Sequence, residues 1–186
     1  LLIAAIDHGR GTTSSITTRA VISGGNNIHT GVGAGILTLG EYHGGAIEKA
    51  MKQLKEIYIN NKNINTFIEE NRRVYGFGHK YYKTEDPRVK KLIQLCKETE
   101  FISPYINIAQ KIEQKLEEKK QKKIPLNIDG CMGAILLTMG FSPKAGRGVF
   151  IIARTSGLVA QAIEEKEEGT KVHRIKEEEI KYKNEK

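Results

Sequence analysis

Three histidines and one aspartate in this chain stand directly beside glycine. They are His8 in IDHGRG, His43 in GEYHGGA, His79 in GFGHKYYKTEDPR and Asp129 in PLNIDGCMG. Glycine permits sharp turns and lets a ligand approach the backbone closely. Taken singly, a histidine on an apolar face is more often a core residue than a catalyst. Four such segments in 186 residues point instead to one shared site. The chemistry these types fit is acid–base work at carbon, in which a carboxylate takes a proton next to a carbonyl and an imidazole steadies the enolate oxygen. Arg88 and Arg154 could hold substrate carboxylates by paired charge-assisted hydrogen bonds, a geometry that lysine cannot copy. Each could also be a structural ion pair. Arg154 interrupts the apolar run VFIIARTSGLVA, where a guanidinium must find an anion or bear a heavy desolvation cost. Zinc could use three histidines and a carboxylate, but no HExxH pair or other local ligand spacing sets two of them on one helix turn, and no metal is expected. Ser14 and Ser15 lack a nucleophile elbow.

The elements that must carry these residues read as helices joined by polar or glycine-rich segments. SITTRAVISGG starts at serines suited to an N-cap and stops at Gly24-Gly25. From Ile28 to Leu39 small residues dominate, and a helix there needs a reason such as close approach to another helix. Ala46 to Tyr58 carries Ile47, Ala50, Met51, Leu54 and Ile57 at helical spacing, followed by a polar break at 60–63 and a short helix from Thr66 to Arg73. Pro87 suits a first helical turn, with Val89, Leu92, Ile93 and Cys96 as its apolar stripe. Ile102, Tyr105, Ile106, Ala109, Ile112 and Leu116 make another stripe, and Ala134–Met139 and Val149–Ile163 are apolar enough for buried helices. Strand alternation is nearly absent, so the expected class is all-α.

Length bounds the chain to one domain with a real core. The net charge of +8 comes from 30 Lys and Arg against 22 Asp and Glu. Much of the excess lies in the mixed-sign runs KIEQKLEEKKQKK and KVHRIKEEEIKYKNEK, which read as solvated faces. No aromatic-rich binding sheet, zinc finger or arginine-rich arm accompanies the charge, so nucleic acid is not expected. The basic balance suits an anionic small molecule. No apolar stretch approaches the roughly 20 residues of a membrane span, and the two cysteines, Cys96 and Cys131, form no CxxC pattern. The expectation is a cytoplasmic protein with reduced thiols and no membrane partner.

The segments IDHG at 6–9, SSITTRA at 14–20, AGILTLGEYHGGA at 34–46, GFGHKYYKTEDPR at 76–88, LNIDG at 126–130 and FIIARTSGL at 150–158 follow one another in the order of a known family. Across nearly its whole length the sequence resembles the citrate synthase family, and within it most resembles citryl-CoA lyase and the citryl-CoA-cleaving domain of ATP-citrate lyase. The resemblance implies a citrate synthase-like multi-helical domain over 1–186, with an inserted small-domain region at roughly 60–145 that closes over the substrates, and an interlocked homodimer or higher oligomer. Relatives carry further N-terminal helices, so Leu1 is expected to begin inside a longer protein.

The roles implied by this resemblance are these. Asp129 is the base that takes the methyl proton of acetyl-CoA, or returns it in the cleavage direction. His43 donates to the thioester oxygen and stabilises the enol, and His79 binds and polarises the keto group of oxaloacetate, serving as acid in condensation. His8, Arg88 and Arg154 hold the dicarboxylate or citryl part, and Arg174 reaches into the partner subunit's site. Gly76, Phe77 and Gly78 shape the coenzyme A loop, and Lys83 contacts a phosphate. The coenzyme A thioester is substrate, with no tightly bound cofactor. The implied reaction is cleavage of citryl-CoA to acetyl-CoA and oxaloacetate, with a separate citryl-CoA synthetase as a further partner. Synthesis of citrate, synthesis of 2-methylcitrate, and an inactive subunit that binds coenzyme A or citrate are the alternatives. Two departures from the family pattern stand out: Lys80-Tyr81-Tyr82 after the histidine, and Gln161 where many relatives carry histidine.

Overall fold

Apolar spacing and capping residues account for most of the helices in the computed structural model, which describes residues 1–182. The helices are α1 (Leu2–Ala5), α2 (Thr13–Ser23), α3 (Ile28–Leu37), α4 (Ala46–Ile59), α5 (Ile64–Glu70), α6 (Pro87–Glu98), α7 (Pro104–Lys120), α8 (Ile128–Thr138) and α9 (Pro143–Glu168). A short 3-10 turn follows at Glu177–Glu179. Among the described residues the β structure is one isolated antiparallel bridge, Phe77 to Leu126. No helix among them is long and apolar enough to cross a membrane.

The chain divides into two compact units. The first comprises Leu1–Asp7 with Leu39–Arg154, and the second His8–Thr38 with the chain from Thr155 onward.

In the first unit, α8 is the hub. It is apolar on all sides, and every residue from Gly130 to Leu137 is buried, as a helix without a polar face requires. Helices α4, α6 and α7 pack on it, and α5 packs on α7. The expected stripe of α4 is fully buried, Ile47, Ala50, Met51, Leu54 and Ile57 alike. In α7 the expected residues from Tyr105 to Leu116 are buried, but Ile102 precedes the helix and is 84% exposed. The short helix α5 ends at Glu70 rather than Arg73, with Asn63 as its cap, accepting from the Asn65 and Thr66 N–H groups. Helix α8 begins six residues before Ala134 because its glycines are close contacts rather than breaks: a Cβ at Gly133 would lie 2.9 Å from Met51 Cγ.

The second unit packs α2 against α3 and the latter part of α9 around Ile22, Val32, Leu158 and Ala162. Thr12, not a serine, caps α2, accepting from the Ser15 N–H; Ser14 and Ser15 are buried. The glycine-rich α3 is a helix because Gly31 faces Ile22, where a Cβ would stand 2.7 Å from Cγ1. Tight packing between helices is therefore the reason for its small residues. Arg19, 5% exposed, donates to the Gln161 side chain at 3.1 Å and forms ion pairs with Glu164, Glu165 and Glu168 at 2.8, 2.7 and 2.5 Å. His173 closes on the Glu165 carboxylate at 2.7 Å, and its backbone N–H donates to Ser23 Oγ at 3.0 Å.

Candidate active site

Asp129 owes its position to the start of the buried helix α8. Asn127 is the cap, its Oδ1 accepting from the Asp129 N–H at 3.0 Å and the Gly130 N–H at 3.2 Å. Asp129 therefore lies in the first helical turn, where the glycine beside it had suggested a loop. Its Oδ1 is closed off from solvent and has no hydrogen-bond partner among the described residues. Burial pushes the carboxyl pKa up to about 6, with Asp86 adding to the rise and the charges of Arg88 and Arg154 opposing it. A carboxylate poised near neutrality is what a proton-transferring base requires.

The His79 loop is pinned to the entry of α8. The Asn127 N–H donates to the Gly76 carbonyl at 2.9 Å, the Gly78 N–H to the Pro125 carbonyl at 2.7 Å, and the Asn127 amide to the Gly78 carbonyl at 2.8 Å. The approach depends on two glycines without side chains. A Cβ at Gly130 would stand 2.5 Å from the Gly76 carbonyl oxygen, and Gly76 itself takes a φ of +89°. Phe77 packs against the main core, and Lys83 donates to the His79 carbonyl at 3.2 Å. The segment 76–78 is thus docked backbone rather than a free hinge.

Nδ1 of His79 accepts from the N–H groups of Tyr81 and Tyr82, both at 3.0 Å. Its Nε2 lies 3.3 Å from Nη2 of Arg88. Burial, with Arg88 and Lys83, lowers the His79 pKa against the pull of Asp86, so the ring is neutral at pH 7. Arg88 is held by Asp86, whose buried carboxylate caps α6 and takes Nε at 3.0 Å and Nη2 at 2.7 Å. Burial would raise the Asp86 pKa, but its bonds to Arg88 prevail and lower it.

The two arginines converge on the last carbonyls of α1. Nη1 of Arg88 lies 3.4 Å from the Ala4 carbonyl, and Nε of Arg154 lies 3.2 Å from that of Ala5. A helix C-terminus presents unpaired carbonyls, which favour cations. Arg154 is 4% exposed and stacks over Phe150 at 5.1 Å; burial weakens its basicity, while Asp7 and Asp129 restore part of it. His43, half-buried in the turn before α4, is kept neutral by burial and by the charge of Arg154.

The first unit thus carries Asp129, His43, His79, Arg88 and Arg154, with the charges of Arg88 and Arg154 acting on Asp129, that of Arg88 on His79 and that of Arg154 on His43. Such a group can take a proton from carbon, offer neutral N–H donors to a developing oxyanion and bind carboxylates. His8 and Arg174 belong to the second unit; Arg174 is exposed in the segment after α9. Four contributors escaped the sequence reading: Asn127, Asp86 and the carbonyls of Ala4 and Ala5. Asn and Asp immediately before Ile-Asp-Gly and Pro-Arg are recognisable cap residues, which was the available signal. Among the described residues no group of three His, Cys, Asp or Glu could hold a metal ion.

The described residues thus form a helical scaffold that carries an acid–base and guanidinium grouping. The model of the citrate synthase C-terminal domain matches residues 1–176, and the chain belongs to the citrate synthase family. It is 35% identical over 179 residues to a citrate synthase of Helicobacter pylori, covering 88% of this chain and 42% of that protein. It is 34% identical to a citrate synthase of Saccharolobus solfataricus, covering 90% and 47%. The chain thus spans less than half the length of these relatives. Among solved structures, the citryl-CoA lyase of Hydrogenobacter thermophilus superposes with a TM-score of 0.91 at 37% identity, over all of this chain and 75% of that one. A citrate synthase of Thermoplasma acidophilum, in ternary complex with carboxymethyl coenzyme A and oxaloacetate, gives 0.77 at 28%, over all of this chain and 51% of that one.

Proposed function

We propose that this protein makes or breaks the carbon–carbon bond between the acetyl group of acetyl-CoA and oxaloacetate, and that its physiological reaction is the cleavage of citryl-CoA. The observation that carries the proposal is the placement of Asp129: a carboxyl group with a pKa of about 6, flanked by two arginines, each of which acts on one neutral histidine.

In the condensation direction Asp129 removes a proton from the acetyl methyl group. His43 donates to the thioester oxygen on which the enol forms, and this donor offsets the charge that makes enolisation difficult in water. The enol carbon attacks the keto carbon of oxaloacetate, whose oxygen is polarised by His79 and takes the ring's proton as the hydroxyl forms, while Arg88 and Arg154 hold the carboxylates. Cleavage runs the same steps backwards: His79 takes the hydroxyl proton as the carbonyl forms again, the bonding pair returns to the acetyl fragment, and Asp129 delivers a proton to its carbon. Arg174 would act on a partner subunit's site in a homodimer, and Lys83 would meet a coenzyme A phosphate. Oriented groups and exclusion of water supply the remaining rate enhancement.

The higher identity and TM-score with citryl-CoA lyase than with the Thermoplasma citrate synthase favour the cleavage reading. The citrate synthase relatives at 34–35% identity support a second reading, in which citryl-CoA is hydrolysed to citrate. Incubation of the purified protein with citryl-CoA, and separately with acetyl-CoA and oxaloacetate, decides between them. Oxaloacetate released without free thiol is the expected result; thiol appearing with citrate would favour the synthase. No turnover in either, with coenzyme A still bound, would overturn both.

A further inference from the structure

The residues that follow His79 surround its ring. The N–H groups of Tyr81 and Tyr82 both donate to Nδ1 at 3.0 Å. The Tyr82 ring stacks on the imidazole with centroids 4.5 Å apart and planes at 30°, while the Tyr81 ring is tilted at 6.0 Å. The guanidinium carbon of Arg88 lies 5.9 Å from the Tyr82 centroid, so this ring borders both site residues.

We propose that Tyr82 is a positioning residue for His79: its backbone N–H, with that of Tyr81, keeps the imidazole proton on Nε2, and its ring holds the plane in which that N–H is presented beside Arg88. Two N–H donors directed at Nδ1 require a lone pair there; a proton on that atom would forfeit both bonds. The proton of the neutral ring therefore sits on Nε2. Nη2 of Arg88 has two hydrogens, one of which is taken by Asp86 Oδ2 at 2.7 Å, and Nε2 lies 3.3 Å from the same nitrogen. Two N–H donors this close together suit one oxygen atom placed between them, such as the keto oxygen of a 2-oxo acid. Stacking against Tyr82 fixes the plane in which Nε2–H is presented, which the turn alone does not do. The substrate part of the inference rests on the function proposed above; the tautomer lock does not.

The test pairs kinetics with nitrogen NMR of the chain labelled with 15N-histidine. In the free wild-type protein His79 should give an unprotonated Nδ1 and a protonated Nε2. Tyr82→Ala keeps the backbone donor, so it should leave the tautomer in place, shift or broaden the His79 ring resonances, and lower kcat for the citryl-CoA or condensation reaction roughly tenfold or more, the scale set by misoriented groups, with KM for the coenzyme A ester little changed. Tyr82→Phe, which keeps the ring, should restore the wild-type His79 resonances and most of the rate. A protonated Nδ1 in the wild type overturns the tautomer, and unaltered His79 resonances in Tyr82→Ala overturn the positioning role, as does a phenylalanine variant as impaired as the alanine one. A chain inactive on every thioester whose His79 resonances still change in Tyr82→Ala would refute the proposed reaction and leave the positioning role standing.

Discussion

At the level of single residues, Asp129 determines how the site responds to pH. Its carboxyl is raised by burial from the ordinary 3.8 to about 6. The base form exists only above that value, so kcat/KM for condensation should fall about tenfold per pH unit below it and level off above. A pH–rate profile of the free protein checks this, and a plateau persisting to pH 4 would contradict it. The same shift bears on stability with the opposite consequence. A carboxyl whose folded pKa is raised favours the fold most fully below about 3.8, and this contribution is lost as pH rises through about 6. Asp129→Asn should therefore cut turnover by about 10²–10⁴-fold while stabilising the fold at pH 8 by about 1–3 kcal/mol in urea titrations. Loss of both activity and stability would show that Asp129 is a structural group.

At the level of elements, the site depends on one contact between backbones. Segment 76–78 lies against the first turn of α8 through Gly76 and Gly130, and Asn127 bonds to both sides of that junction. Gly130→Ala places a methyl group 2.5 Å from the Gly76 carbonyl oxygen, so backbone must shift. Overpacking of this kind costs about 1–3 kcal/mol, and because it separates His79 from Asp129, kcat should fall as well. Asn127→Ala removes a helix cap at a cost of about 1 kcal/mol and leaves the Gly78 carbonyl without its amide donor. Urea midpoints and kcat measured on the same preparations test both variants. Variants that lose stability with kcat intact would show that the junction does not position the chemistry.

At the level of the whole molecule, each unit has its own core, and the second is centred on charge as well as on apolar side chains. Glu165 is fully buried between Arg19 and His173. Removing one partner of such a pair strands a charge away from water. Arg19→Met should therefore cost about 3–5 kcal/mol, read as a shift of the urea midpoint. A shift within about 1 kcal/mol would mean that His173 alone satisfies Glu165.

Periodicity and residue type in the sequence were enough for the helical class, the buried stripes of α4 and α7, the stop at Gly24 and the helix start at Pro87. These follow from local rules: side-chain spacing decides which face is buried, and proline and glycine restrict the backbone wherever they stand. The sequence also singled out His43, His79, Asp129, Arg88 and Arg154, because a histidine beside glycine or an arginine in an apolar run is unusual on its own. It misjudged the start of α8 and gave no sign of α1 as a support, since both depend on contacts between residues far apart in the chain. Gly130 reads as a loop until Gly76 is placed against it, and Ala4 and Ala5 are featureless until Arg88 and Arg154 reach their carbonyls. Only the tertiary structure decides which side chains share an electric field, and burial within that field gives Asp129 its affinity for a proton.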